Sequence, residues 1–367
     1  MAVPPHIHDV LVVGTTPAGA AAALRACRAN LSCLVGSSVG ADRQPELAWL
    51  GPAGISLCQQ CGLDARRIGA ATFKGLKLHS WDLRRNAEVA GDDLHGWIVD
   101  RATLCSALME LAQSSGAELL PQVALQEVVL GEQFVSLRWK GGEARGRILL
   151  IADGPDSPTA ALARMTAAGQ CEGMSHCAWV TLPASATAKV GLEVAIGGRR
   201  CPQSVTLLRR GGRLQVLLVT PDATMPVGVQ LNEFLVAARA GGLIPGGPAP
   251  EPAVGRTPAG LALDMETLVG KRCLLIGEAG GFVSAFSNES IYPGMRSGWI
   301  AAEFAAAALQ APVLQDALLE FSEAWRAGLA SHLRMPNTDL GLLMPLIFGN
   351  AQMAGRLARA FLLGQSF

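Results

Sequence analysis

Chemistry is first implied by a glycine-bearing turn near the start of the chain, in Asp9-Val-Leu-Val-Val-Gly-Thr-Thr-Pro-Ala-Gly-Ala-Ala-Ala-Ala-Leu24. An apolar run, Val10 to Val13, has the length of a buried parallel strand, and the Ala-rich segment after the turn has strong helix propensity. A helix that starts directly after such a turn presents free backbone N–H groups and the positive end of its dipole, which is an anion site. A dinucleotide pyrophosphate is the usual occupant. The spacing is Gly14-x-x-Pro17-Ala18-Gly19, with Thr15 and Thr16 between, so the middle glycine of G-x-G-x-x-G is Thr16. A plain βαβ unit without a ligand also fits this stretch taken alone. Further along, Asp153-Gly154 ends the apolar run Arg147-Ile-Leu-Leu-Ile-Ala, with Ser157 three residues on. An acid at the carboxyl end of a buried strand lies where open α/β sheets bind ligands, although Asp-Gly is also an ordinary turn.

Other reactive side chains carry less. Cys58-Gln-Gln-Cys61 is the one C-x-x-C. A redox pair needs a reactive thiolate and a metal site needs a second pair, and neither context is visible, so a helix over 54–61 burying a small sulfur is the simpler reading. His79 falls on a strand, where a solvated face is the expected surrounding. Tyr292 is the only tyrosine and could donate a proton, but packing at a helix start is its simpler role. No Ser/His/Asp set with hydrolase context and no metal cluster emerges.

The elements that position these residues follow from periodicity. Cys33-Leu-Val35 closes the first strand–helix–strand unit. A helix begins after Gly96-Trp-Ile-Val-Asp-Arg101, with Asp100 as N-cap and Leu104, Leu108 and Leu111 as its apolar stripe. Strands around 126–130 and 134–139 lead into 147–152. A second sheet is expected from 177–182, 189–196, 204–209 and 213–219, with Arg210-Gly-Gly-Arg213 as a hairpin turn. A helix over 230–240 precedes a Gly/Pro-rich loop over 241–252 that reads as a return crossing between domains. Lys271-Arg-Cys-Leu-Leu-Ile-Gly277 is a third buried strand, Tyr292-Pro-Gly opens a long Ala-rich helix, and the chain reads as helical throughout from Val313.

Composition bounds the class. The chain has 367 residues, half of them hydrophobic and 16% charged, enough for a large core in two or three domains. A net charge of zero argues against a nucleic-acid partner. The N-terminus has neither a basic region nor a long apolar run, so no signal peptide is expected, and no run is long enough for a membrane span. Nine scattered cysteines suit reduced thiols and a cytoplasmic location.

Three separated segments, Gly14-x-x-Pro17-Ala18-Gly19, Asp153-Gly154-x-x-Ser157 and Gly277-Glu278-Ala279, fall in the order and contexts of the flavoprotein hydroxylase superfamily. Within it the chain most resembles the geranylgeranyl reductase branch, chiefly through Ile276-Gly-Glu-Ala-Gly-Gly-Phe-Val-Ser and Ile291-Tyr-Pro-Gly-Met-Arg-Ser-Gly298. The resemblance implies an α/β fold: a Rossmann-like FAD-binding domain from residues 1–71, 96–165 and 262–310. It also implies an interleaved antiparallel-sheet substrate domain from 72–95 and 166–261, and C-terminal helices over 311–367. It implies FAD stretched across the Gly14–Gly19 turn and Asp153-Gly154 at the pyrophosphate. Arg101 would reach the pyrophosphate or ribose, Val123 would line the adenine, Glu278 with Ala279 would stand at the ribityl chain, and Ser290 and Ile291 through Met295 would lie against the flavin ring.

The chain departs from the family pattern at Thr16, at Gly36 where an acid is usual, at Glu278 where Asp is usual, and at Ala285 and Asn288-Glu289-Ser290. Losing three ordinary hydrogen bonds at ~1 kcal/mol each weakens binding by ~3 kcal/mol, roughly a hundredfold. That leaves a looser flavoprotein rather than none. The expected activity is an FAD-dependent oxidoreductase, a reductase of carbon–carbon double bonds or a monooxygenase, on an apolar, lipid-like or polycyclic substrate. Its electron donor would be external or transient, because no second dinucleotide fingerprint is present. The alternative is a non-catalytic binding protein of the same fold that has lost FAD. The apolar stretch Leu340–Phe348 and the following Arg356 and Arg359 fit either a peripheral membrane contact or a helix packed on the core.

Overall fold

The computed structural model describes residues 6–37, 44–91, 93–185, 187–197 and 203–365. In chain order, β1 (Ile7–Val13) runs through the Gly14 turn into α1 (Pro17–Arg28), and β2 (Cys33–Gly36) follows. Then come β3 (Leu47–Leu50), α2 (Pro52–Cys61), β4 (Ala71–Lys74), β5 (Leu76–Ser80), β6 (Asn86–Val89), β7 (His95–Asp100) and α3 (Arg101–Ser114). The short β8 (Glu118–Leu119) precedes the meander β9 (Leu125–Leu130), β10 (Val135–Trp139) and β11 (Gly142–Ile151), and α4 (Pro158–Leu162) closes this part. The middle of the chain is β12 (Ser175–Pro183), β13 (Gly191–Gly197), β14 (Gln203–Arg210), β15 (Arg213–Thr220), α5 (Val227–Ala240) and β16 (Ala253–Thr257). Last come β17 (Val269–Gly270), β18 (Cys273–Leu275), α6 (Ile291–Ala308), α7 (Leu314–Leu319), α8 (Phe321–Leu333), α9 (Leu340–Gly349) and α10 (Ala351–Leu357).

Three sheets result. The first has the order β17-β18-β11-β1-β2-β8, with β10 and β9 attached to β11. Its central pairs β18–β11, β11–β1, β1–β2 and β2–β8 are parallel, as continuous apolar strands buried on both faces require. Packed against it, α1 and α6 approach so closely that a Cβ on Gly298 would sit 2.2 Å from the Ala18 carbonyl oxygen. The alanines of both helices permit that approach. A small antiparallel sheet, β3-β7-β4, lies beside it. The third has the order β16-β12-β15-β14-β13-β5-β6 and is antiparallel except for β13–β5.

Strand alternation gives the third sheet two faces. Ala178, Val180 and Leu182 of β12 and Leu214, Val216 and Leu218 of β15 pack under Leu231, Phe234 and Leu235 of α5. Their neighbours Cys177, Trp179 and Val219 form a separate apolar cluster, with Leu217 packed against it. Gln215, fully buried, fastens this sheet to the small one through both the amide and the carbonyl of Leu47, at 2.7 and 2.8 Å.

Four expectations need correction. The boundary at residue 72 cuts β4, which pairs with β7 and not with the large antiparallel sheet. The loop over 241–252 leads only to β16, an edge strand of the sheet it leaves, so the crossing comes after Thr257. The C-terminal region is not helical throughout, since residues 334–339 interrupt it, and it is not one unit. Phe321, Trp325, Leu329 and Leu333 of α8 join the core under the parallel sheet, whereas Leu340, Ile347 and Leu357 of α9 and α10 join a cluster with β5, β6 and β13. His79 is buried rather than solvated: its Nε2 lies 2.7 Å from Glu193 Oε2, and Arg209 also pairs with Glu193. Burial first, then the charges of Lys77 and Arg209, pushes its pKa down to about 4.

Candidate cofactor cleft

Register brings the three motifs together. Val13 pairs with Ile151, and Ile151 with Leu275, all parallel, so Gly14, Asp153 and Glu278 follow three neighbouring strand ends. Gly14 has φ +119°, and a Cβ there would meet the Ala152 carbonyl oxygen at 2.3 Å. One turn into α1, a Cβ on Gly19 would lie 2.0 Å from the Gly14 carbonyl oxygen. Both positions therefore require glycine if helix and strand are to meet this closely.

Thr16 has a local role that the spacing did not reveal. It is the N-cap of α1: its hydroxyl accepts from the Gly19 amide at 3.3 Å and donates to the Ala152 carbonyl at 3.0 Å. With Gly19 capped and Pro17 lacking an N–H, Ala18 is the first-turn amide left for an anion. Asp153 turns its carboxylate toward the next helix. It accepts from the Ser157 hydroxyl and, at 2.6 Å, from the Thr159 hydroxyl, and so holds the start of α4 in place.

A cavity of about 410 Å³ opens between these strand ends. Thr15, Ala18, Gly154, Glu278 and Ser290 line it, and so do Ser37 after β2, Gln44 and Cys105. Arg101 enters from the start of α3, which Asp100 caps through the Thr103 amide. Its guanidinium lies 3.3 Å from the Ser290 hydroxyl and 3.9 Å from Glu278, while Gln44 donates to Glu278 at 2.9 Å. The Arg101 Nε is buried with no hydrogen-bond partner among the described residues. An arginine donor aimed into a cleft beside a helix N-terminus fits a phosphate-bearing cofactor. Gly154, at φ +98°, would have no atom within 4 Å of an added Cβ, so backbone there is open to a bound group. The residues present fit FAD.

Several expected residues stand back from this cavity. Gly19 and Ala279 are buried behind it, and Ile291 is buried at the start of α6. Val123 lies in the irregular stretch between β8 and β9, outside the cavity lining. Tyr292 sets its ring edge-on to His332 at 5.0 Å, also away from the cleft, and burial pushes its pKa up. The Cys58 and Cys61 thiols are fully buried, which pushes them up to about 12 and about 11, so this pair is not a thiolate site.

A second cavity of about 220 Å³ shares Gln44, Arg101, Pro155, Glu278 and Ser290 with the first. Its far wall is the apolar face of the antiparallel sheet that carries Cys177, Trp179, Leu217 and Val219. Burial and the Glu278 charge push the Cys177 thiol up to about 12, so it adds no charge to this wall. Sequence reasoning missed this surface, because which face of β12 and β15 meets the cleft depends on where α5 packs.

No family model matches the chain. In sequence it is similar to the digeranylgeranylglycerophospholipid reductase of Methanosarcina mazei, 24% identical over 87% of this chain and 80% of that protein. It is likewise similar to digeranylgeranylglycerophospholipid reductase 1 of Methanococcoides burtonii, 23% identical over 89% and 81%. A geranylgeranyl bacteriochlorophyll reductase-like protein of Thermoplasma acidophilum matches 98% of this chain and 97% of its own, with a TM-score of 0.77 and 14% identity. A variant of halogenase PltM in complex with FAD has a TM-score of 0.71 and 13% identity, over 95% of this chain and 78% of that one. The resemblance to the flavoprotein hydroxylase superfamily, toward its geranylgeranyl reductase branch, is thus borne out in sequence and in fold.

Proposed function

We propose that the chain is an FAD-dependent oxidoreductase that reduces carbon–carbon double bonds of a lipid-like substrate. The observation that carries this reading is the convergence of the α1 turn, the Asp153 and Glu278 strand ends and Arg101 on one cleft that opens onto an apolar wall. The Gly14–Gly19 turn and the Ala18 amide hold the pyrophosphate, with Arg101 and Gly154 beside it. Glu278 would stand at the ribityl chain, and the turn from Ser290 to Met295, through Ser290 and Gly294, would face the flavin ring. When bound and reduced by an external donor, the flavin would supply hydride to one carbon of the double bond, and the other carbon would take a proton from water.

The chain's own residues bind, orient and exclude water. Trp179, Leu217 and Val219 offer an apolar surface that desolvates a hydrocarbon chain. The names of the two sequence relatives support reduction over oxygenation and a lipid-like substrate.

The test is direct. The purified protein is expected to carry FAD, or to take it up, and flavin reduced without oxygen is expected to be reoxidised by an unsaturated isoprenoid lipid. Reoxidation only by dioxygen, with a hydroxylated product, would favour a monooxygenase. A protein that neither retains nor takes up FAD would end the reading.

A further inference from the structure

One row of side chains crosses the antiparallel sheet from the cleft toward α9. Cys177 of β12 pairs with Val219 of β15, Val219 with Ser204 of β14, and Ser204 with Ile196 of β13. Directly paired residues share a face, so all four point the same way. Cys177 and Val219 wall the apolar cavity beside the cofactor cleft. Val219, Ser204 and Ile196 wall a smaller cavity of about 30 Å³, and Phe286, Met335 and Leu340 line its other sides. Two spaces thus lie end to end on one face of the sheet.

Asn288, from the loop before α6, stands between them and lines both. Its Nδ2 donates to the Ser204 hydroxyl at 3.0 Å, so one hydrogen bond joins that loop to β14 where the two spaces meet. Asn288 has a left-handed backbone, φ +56°, and its Oδ1 is buried with no hydrogen-bond partner among the described residues. A left-handed residue other than glycine and a buried unpaired acceptor both cost stability, and such costs collect at positions that function constrains. The loop is also held by its backbone. The Asn288 N–H donates to the Ser284 carbonyl at 3.0 Å, and the Ser284 N–H to the Glu289 carbonyl at 2.9 Å.

A hydrocarbon chain laid along the apolar wall from Cys177 to Val219 meets the Asn288–Ser204 bond at its end. Beyond that bond, Ile196, Phe286, Met335 and Leu340 offer apolar surface that would bury further methylenes if the way were open. Removing the Asn288 side chain is compatible with the fold. Glycine adopts a positive φ without strain, and the unpaired acceptor leaves with the side chain.

We propose that the Asn288–Ser204 bond is the end stop of the substrate cavity and sets the longest hydrocarbon chain that the protein accepts. The proposal rests on the reading of a lipid-like substrate. The experiment is titration calorimetry of the full chain, with FAD present, against a homologous series of unbranched fatty alcohols. For the parent, affinity is expected to rise with each added methylene and then to level off at a limiting length. In Asn288→Gly the rise should continue past that length, each further methylene tightening binding by up to about fourfold. Ser204→Ala removes the same bond from the sheet side and should move the limit in the same direction. Adding Met335→Phe to Asn288→Gly refills the smaller cavity and should restore the parent's limit. Melting temperatures close to the parent's are expected throughout, which separates a change of cavity from a loss of fold. A parent that binds no alcohol of any length would end the lipid-like reading and this proposal with it. The same limiting length in the parent, Asn288→Gly and Ser204→Ala would overturn this proposal alone, as would a shifted limit that Met335→Phe leaves in place.

Discussion

Single atoms set the tolerances of the cofactor turn. An added Cβ at Gly19 would sit 2.0 Å from the Gly14 carbonyl oxygen, so α1 must move off β1 to accommodate any side chain. Gly19→Val is therefore expected to abolish FAD binding, measured as flavin content and as the dissociation constant on reconstitution. Unchanged affinity would show that this turn does not hold the pyrophosphate. His79 makes a different demand. In the folded chain its pKa is about 4 against an ordinary 6.5, so between those pH values the unfolded chain takes up a proton that the folded one refuses. Stability is full above about pH 6.5 and declines as pH falls toward 4, by no more than ~3 kcal/mol at ~1.4 kcal/mol per unit. His79→Gln keeps a donor for Glu193 and removes the titration. Its melting temperature should fall less than the parent's between those pH values, and parallel curves would show that His79 is protonated in both states.

Elements are held in place by buried polar groups that come from far along the chain. Glu289 is 4% exposed: it accepts from the Tyr292 amide at 2.7 Å and meets His332 Nε2 at 3.3 Å. It thus secures the first turn of α6, on which Ser290 faces Arg101, and ties it to the end of α8. Glu289→Ala would leave the Tyr292 amide and His332 without this partner, at a cost of about 1–3 kcal/mol each when buried. A drop in melting temperature together with weaker flavin retention is expected, and a lower melting temperature with flavin affinity intact would show that α6 holds its position without this clamp. Local signals made the strands legible: the alternation of β12 and β15, the Asp100 cap and the Gly–Gly hairpin all appear in the sequence. Pairings between distant residues did not. His79 and Glu193 are 114 residues apart, and the Gln215 bond to Leu47 spans 168, so no window of sequence contains either. The pairing of β4 with β7, rather than with the sheet of β5, was hidden for the same reason. The cofactor cleft was legible because its motifs are backbone devices, tied to strand ends and helix starts. The apolar wall was not, because it depends on which face of a sheet α5 covers.

At the scale of the molecule, the last helices complete the antiparallel sheet. Leu340, Ile347, Leu357, Leu362 and Leu363 are each less than 9% exposed and cover Leu76, Leu78, Val89, Leu192 and Val194. The tail also reaches the small sheet's neighbour, since a Cβ on Gly51 would meet the Leu363 carbonyl oxygen at 2.7 Å. Burying a leucine or isoleucine contributes about 1.5–3 kcal/mol, so these side chains together rival the 5–15 kcal/mol by which a whole protein is typically stable. Deleting Leu340–Phe367 is therefore expected to give insoluble or unfolded protein, read from soluble yield and the loss of a cooperative thermal transition. Replacing only the outward Leu342 and Leu346 touches none of those contacts and should leave the transition where it is. If the truncated chain were soluble and melted with the parent, α9 and α10 would be an appendage, and the sheet would have to be closed by contacts from β3, β4 and β7 alone.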